Sequence, residues 1–592
     1  MGRVWKGWYP LLAAAATVAA WAPGIVGKPV LDDFAVVVEN PYLSRLWPPR
    51  DLFGADPSGP LRDRPLTAAT FSLSWAWGGG ELWAHHLVNI VVQAAAALCL
   101  YGVLRLLLLT GRAGERLRRR APEAALAAAV VWGVHPLQSE SVTYIAQRAE
   151  SLAGLFYLLT LYLVLRGGNS TRPGRWYAAA VAACALAMAA KSTAVTAPLA
   201  VWCCLRVFSG PARDPRRRRL LYLGLAATWS IPLVLTAAND YPDIRTYTVS
   251  EYALAQPAVL LRYLYLAAVP GRLCLDYSLP PPAPAPALAA LALIAVLLGA
   301  TLAALLRRRP LGFAGAWFFL ALLPTSGPLP LEDLFFEHRM YLALAAPAAV
   351  AASLGVLLFD RRRLRAAGVA VLCGAAAALI ARSWARNRDY ADPERIWRGC
   401  LQVNPDNPRA HNNLGNILRV RGRTAAAGRE YRRALALDPA YADAAGNLAA
   451  LAAPSDSEEG IVLYRRYLLL RPGDGSARAR LIRLLLNRGR VEEAREALAA
   501  APPGGNPAQE NDLALAALAA GAEAAAETHW RRALEEDPES IEALVNLGAL
   551  RGRRGDYAGA RALLLRALEQ DPASAAAREN YRLLEEEPRY TR

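Results

Sequence analysis

Two adjacent carboxylates, Asp32 and Asp33, follow the first long apolar run and lie in a loop over 27–82. Paired acids where a chain leaves a membrane can deprotonate an acceptor hydroxyl or hold a cation, because burial at the interface raises their pKa and favours proton uptake. An isolated Asp-Asp is more often a solvated turn, so the polar residues of the other loops decide how it reads. They include Arg64 in Arg62-Asp63-Arg64-Pro65-Leu66-Thr67, and His86 and Asn89 in His85-His86-Leu87-Val88-Asn89. His135 and Glu140 follow in His135-Pro136-Leu137-Gln138-Ser139-Glu140-Ser141, then Arg148 and Glu150, then Lys191, then His338, Arg339 and Tyr341 in Glu337-His338-Arg339-Met340-Tyr341. Blander roles are open to several of them: His135 can cap a span, Glu140 can pair with Arg148, and His86 with Asn89 can bond between helices. No Gly-rich phosphate loop, Cys-His nucleophile or HExxH helix accompanies them.

Positioning such residues takes a scaffold. The 592-residue chain is too long for one compact domain, and 55% hydrophobic content is high for a soluble protein. Apolar runs at 9–26, 83–109, 123–135, 149–165, 176–190, 193–208, 220–237, 286–306, 311–324, 340–358 and 365–382 read as membrane spans, several short of the usual ~20 residues. The first, after Met-Gly-Arg-Val-Trp-Lys, also has the look of a signal peptide. Alternate loops carry the arginines, as in Arg216–Arg219, Arg307–Arg309 and Arg361–Arg363, which places them and the Arg3/Lys6 end in the cytoplasm. The run 257–270 breaks the alternation and is expected to be re-entrant or to lie on the surface. That leaves eleven crossings and an outward C-terminal region. Only Lys6, Lys28 and Lys191 are lysines among 67 basic residues, and the net charge of +17 sits in these loop blocks, a placement that suits membrane anchoring and not nucleic acid. The seven cysteines have neither metal-ligand spacing nor a disulfide pattern.

From residue 393 the composition turns to charged, Ala-rich helix. Prolines at 405, 439, 472, 538 and 572 recur at spacings of 34, 33, 66 and 34. A 34-residue period is the tetratricopeptide signature. It puts Leu414-Gly415, Ala427, Tyr431 and Ala434, and later Leu547-Gly548, Ala560, Leu564 and Ala567, at the packing positions of paired helices. About five units are expected over 409–576, with a half-repeat at 393–405 carrying Trp397 and a polar closing helix after 577. The concave groove of such an array is a surface for a protein acceptor or partner.

Taken in order, Asp32-Asp33, Arg64-Pro65-Leu66-Thr67, His85-His86-Leu87-Val88-Asn89, the segments 135–142 and 148–152, and Glu337–Tyr341, closed by the repeats, resemble the transmembrane and tetratricopeptide-repeat O-mannosyltransferases, as a bacterial-type member. The resemblance covers essentially the whole chain. It implies an all-α protein: a polytopic GT-C-like transmembrane domain over 1–382 followed by a tetratricopeptide-repeat α-solenoid over 393–592. It further implies transfer of a sugar, mannose in the characterised branch, from a polyprenyl-phosphate carrier to Ser/Thr hydroxyls of proteins. The setting would be the cytoplasmic (inner) membrane, with the repeats extracytoplasmic. Asp32 or Asp33 would be the catalytic base, and His338, Arg339, Lys191 and Tyr341 would meet the donor's lipid phosphate. Arg64, His86, Asn89, His135, Glu140, Arg148 and Glu150 are candidates for the rest of the substrate site. A phosphate leaves well, so no cofactor beyond the lipid-linked sugar is expected, and neither a nucleotide site nor a divalent metal is strictly required. One departure stands out: the family usually has an acid after the lysine, and here Ser192 follows Lys191. The competing reading is a non-catalytic membrane scaffold that anchors a peptide-binding repeat array, but an anchor has no need for acids and cations gathered on one face.

Overall fold

The computed structural model describes residues 7–44, 61–210, 214–237, 247–452, 457–501 and 506–586. Arg3, Lys6 and the middle of the 27–82 loop lie outside them. The described residues form helices and no strand. They divide into two compact units, Met1–Pro405 and Asp406–Arg592.

In the first unit six helices are long and apolar enough to cross a membrane: Tyr9–Val26, Leu82–Leu109, Ile145–Gly168, Pro215–Ala237, Pro284–Leu306 and Arg365–Tyr390. The pair Glu337–Ala343 and Ala345–Leu358 qualifies together but bends by 54° between its halves, and Ala121–Gly133, Ser192–Phe208 and Pro310–Ser326 are shorter apolar helices. The 18-residue helix Pro173–Ala190 packs along Arg148–Gly168. Helix starts are written in the sequence. Proline lies in the first turn at Pro173, Pro215, Pro284 and Pro310, where its missing N–H costs nothing. Small residues let the helices approach. A side chain at Gly154, for example, would collide with the Tyr341 ring.

Side-chain contacts identify the two ends of this bundle. At one end the Lys28 N–H donates to the Tyr390 carbonyl at 2.8 Å, the Thr67 hydroxyl to the Ala190 carbonyl at 2.9 Å, and the Thr143 hydroxyl to Asn387 Oδ1 at 2.7 Å. At the other end Arg120 pairs with Asp360 at 3.2 Å and Arg206 reaches the Leu306 carbonyl. The segment expected to be re-entrant or superficial belongs to one continuous helix, Val249–Ala268, opened by a capping box between Thr248 and Glu251. Tyr252 near its start donates to the Thr325 carbonyl, Tyr263 to the Phe336 carbonyl, and the Ala267 carbonyl near its end bonds His135. All three partners belong to the same end of the bundle as Lys28 and Tyr390, so this helix lies along that face.

The last apolar run does not stop at 382; its helix continues to Tyr390. Helix Pro393–Val403, expected as a half-repeat, groups with the first unit. Its Trp397 is buried, and the Asn404 amide beyond it donates to the Tyr277 and Ser278 carbonyls. The second unit holds five helix pairs, from Pro408–Val420 with Thr424–Leu437 to Ile541–Arg553 with Tyr557–Gln570, and the closing helix Ala575–Glu585. Leu414, Ala427, Tyr431 and Ala434, and Leu547, Ala560, Leu564 and Ala567, are all buried. Gly415 is small because the Tyr431 ring lies against it.

Candidate active site

One segment, residues 139–150, touches Asp32, Asp33, Asn89, Lys191 and His338 among the polar groups singled out from the sequence. Its Glu140 is fully buried, and Oε2 accepts from the His338 backbone N–H at 2.8 Å and shares a 2.9 Å hydrogen bond with His338 Nδ1. Burial, reinforced by neighbouring Glu337, holds the Glu140 carboxyl well above the usual range. The Tyr144 hydroxyl accepts from the Asp32 N–H at 3.0 Å, and the Ala146 N–H donates to Asp33 Oδ1 at 2.7 Å. Gln147 and Glu150 both face Lys191, at 3.4 and 2.7 Å. The segment therefore joins the acidic pair, the lysine between two spans and the Glu-His-Arg turn into one cluster.

The two aspartates are not equivalent. Asp33 is fully buried, with Oδ2 accepting from the Val30 N–H at 3.0 Å and Oδ1 engaged by Ala146. Burial pushes its carboxyl up to about 8 against the pull of these amides. Asp32 beside it is exposed. Asp33 thus ties the loop to the 139–150 segment, and Asp32 presents the accessible carboxylate.

Cations gather nearby. Arg64, Lys191 and Arg339 all lie close enough to His338 to act on it electrostatically. Arg339 is nearly buried, held by the carbonyls of Leu334 at 3.1 Å and Asp333 at 3.0 Å, with its guanidinium over the Phe336 ring. The Thr325 carbonyl at 3.5 Å and Tyr252 also engage this guanidinium. Burial lowers the Lys191 ammonium from its ordinary value and Glu150 opposes the shift. Glu150 supplies the carboxylate partner that Ser192 cannot.

Other candidates serve the bundle itself. Arg148 is fully buried over Phe71; its guanidinium donates to Asn89 Oδ1 at 2.6 Å and to Thr70, Ser74 and His85 at 2.9 Å each. Asn89 in turn donates to the Val142 carbonyl, and the His86 ring meets the Gly27 carbonyl. These contacts fix the ends of the 139–150 segment. Tyr341 is also internal: its hydroxyl donates to Gln93 at 2.6 Å and its ring meets Trp132 edge-on. His135 Nδ1 accepts from the Leu137 N–H, and burial pulls the ring down to about 4, so it stays neutral as a cap. Sequence reasoning missed Tyr144 and Gln147, which lie between two motifs that were read, and Tyr277, whose hydroxyl donates to Glu337 at 2.6 Å.

Comparison with known proteins agrees with this layout. Tetratricopeptide repeat models match residues 408–441 and 451–509. A protein O-mannosyl-transferase of Caenorhabditis elegans is 24% identical over 439 residues, covering 70% of this chain and 60% of that protein. The protein O-mannosyl-transferase TMTC4 of Mus musculus is 24% identical over 491 residues, covering 72% and 66%. The human protein O-mannosyl-transferase TMTC1 is 25% identical over 513 residues, covering 74% and 56%. The chain thus spans less than two thirds of the length of these curated relatives. With membrane-length helices followed by tetratricopeptide repeats, the chain is similar to the transmembrane and tetratricopeptide-repeat protein O-mannosyl-transferases.

Proposed function

We propose that the protein transfers mannose from a polyprenyl-phosphate carrier to Ser/Thr hydroxyls of proteins at the outward face of the cytoplasmic membrane, with its repeats on that face. The observation that supports this reading is that segment 139–150 contacts Asp32, Lys191 and His338, with Arg64 and Arg339 close enough to act on His338. Asp32 takes the acceptor proton as the hydroxyl oxygen bonds to the sugar's anomeric carbon. The bond from that carbon to the phosphate oxygen breaks, and the phosphate departs with its lipid. Arg339, Lys191 and Arg64 face the charge that grows on it, in a site where low exposure strengthens their attraction. His338, oriented by Glu140, offers its remaining ring nitrogen to the same phosphate. The reaction so drawn requires neither a nucleotide nor a divalent metal. The side proposed for the repeats is supported by Tyr390, which ends its helix beside Lys28 on the face that carries Asp32.

Purified protein given labelled polyprenyl-phosphate mannose and a Ser/Thr-containing acceptor tests the proposal. Transfer that disappears in Asp32→Asn and persists in chelator supports it. No transfer with any prenyl-phosphate sugar, by protein that still binds partners through its repeats, favours the scaffold.

A further inference from the structure

A second group of basic side chains adjoins the buried Glu140 and Glu337, through Arg386. At the end of the helix Arg365–Tyr390 a cavity of about 380 Å³ is lined by Arg272, Arg382, Arg386, Arg395 and Arg398, with Asp389 as the acid among its lining residues. The Arg386 side chain is 5% exposed; its Nη1 stands 3.9 Å from Asp389 and buried Glu337 is close enough to act on it, yet its Nε and Nη2 have no hydrogen-bond partner. Burying such donors without hydrogen bonds is costly, so an acceptor oxygen reaching them would be favoured. Pairing inside the protein leaves a surplus of positive charge. Arg398 is engaged by Glu394 at 2.9 Å, Asp389 stands 3.7 Å from Arg395, and Arg272 has no ion-pair partner among the described residues. Arg382 donates to the Pro270 and Gly271 carbonyls, which closes one wall.

The depth of the cavity says what the acceptor is. Residues 366–381 of this helix carry no charge, and much of it is exposed, as at Val369 and Val371. Arg382 is the first charge after that stretch, and Trp384, bonded to the Ala19 carbonyl, is half exposed beside it. An Arg and a Trp that close an apolar stretch mark the headgroup level of a bilayer. At that depth the abundant anion is a lipid phosphate.

We propose that this cavity binds the phosphate headgroup of an anionic membrane lipid at the end of the bundle that carries Asp32. The site is independent of the transferase reading. It gives Arg386 its missing acceptor and holds Pro393–Val403 against the membrane. The test is native mass spectrometry of the full chain in detergent, titrated separately with phosphatidylglycerol, phosphatidylcholine and inorganic phosphate. Arg272 and Arg395 are exposed, so the double variant Arg272→Gln/Arg395→Gln keeps the fold, as its thermal melt verifies. Phosphatidylglycerol should bind about tenfold more tightly than phosphatidylcholine, and the double variant should lose that preference, as removing two cations near a headgroup implies. Equal retention of the two lipids, or a variant that keeps the preference, overturns the proposal. Inorganic phosphate binding as tightly as phosphatidylglycerol overturns the lipid source.

Discussion

Glu140 accepts the backbone N–H of His338, 198 residues further along the chain, and shares a second hydrogen bond with its ring. This pair ties the loop after the helix Ala121–Gly133 to the turn that carries Arg339. Glu140→Gln keeps the shape but replaces one carboxyl oxygen with an amide N–H. A buried group left without its partner costs ~1–3 kcal/mol, so the membrane unit should melt earlier and the donor KM should rise. An unchanged melting temperature and an unchanged KM would show the pair to be incidental.

The two aspartates should separate in their variants. Asp32→Asn removes the accessible carboxylate and is expected to lower turnover by ~10²–10⁴ while leaving the melt unchanged. Asp33→Asn sets an amide N–H against the Val30 N–H and should cost about 1–3 kcal/mol of stability. Turnover and thermal melts of both, side by side, decide the assignment; an active, folded Asp32 variant would remove Asp32 as the base.

Asp33 also gives stability a pH dependence. Burial places its folded value at about 8, above its ordinary 3.8. The proton is held more tightly in the folded state, so this contribution is full below the ordinary value, declines as pH rises and is lost through about 8. Melts of the wild type should fall across that window more steeply than those of Asp33→Asn. Parallel curves would contradict the linkage.

Lys191 and Glu150 form a mostly buried pair at 2.7 Å. Lys191→Met alone strands the acid, and breaking a buried pair costs ~3–5 kcal/mol. Lys191→Met/Glu150→Gln should recover most of that stability without recovering donor affinity. A double variant with normal donor binding would make the lysine purely structural.

Topology can be read with a reporter that works only in the cytoplasm. Fused after Arg592 it should be silent, and inserted in the Arg361–Arg363 loop it should be active. Activity at the C-terminal fusion would place the repeats, and with them the Lys28–Tyr390 face, in the cytoplasm.

The sequence by itself determined the broad plan. Apolar stretches of membrane length and a 34-residue period are one-dimensional signals, each set by a single physical demand: a hydrocarbon thickness to cross, or a helix pair to stack. Leu414, Tyr431 and Ala434 could be assigned to a packed interior from spacing alone, because each repeat packs on its neighbours. Only the tertiary structure decided which polar residues share a site. Asp32 and Asp33 are neighbours in the chain, yet one is exposed and the other is locked by amides more than a hundred residues away. Arg148 and Tyr341 look like site residues in sequence, but the surrounding helices use their polar atoms. Glu150 became Lys191's partner across two helices because burial requires a paired charge and does not specify where in the chain its partner lies.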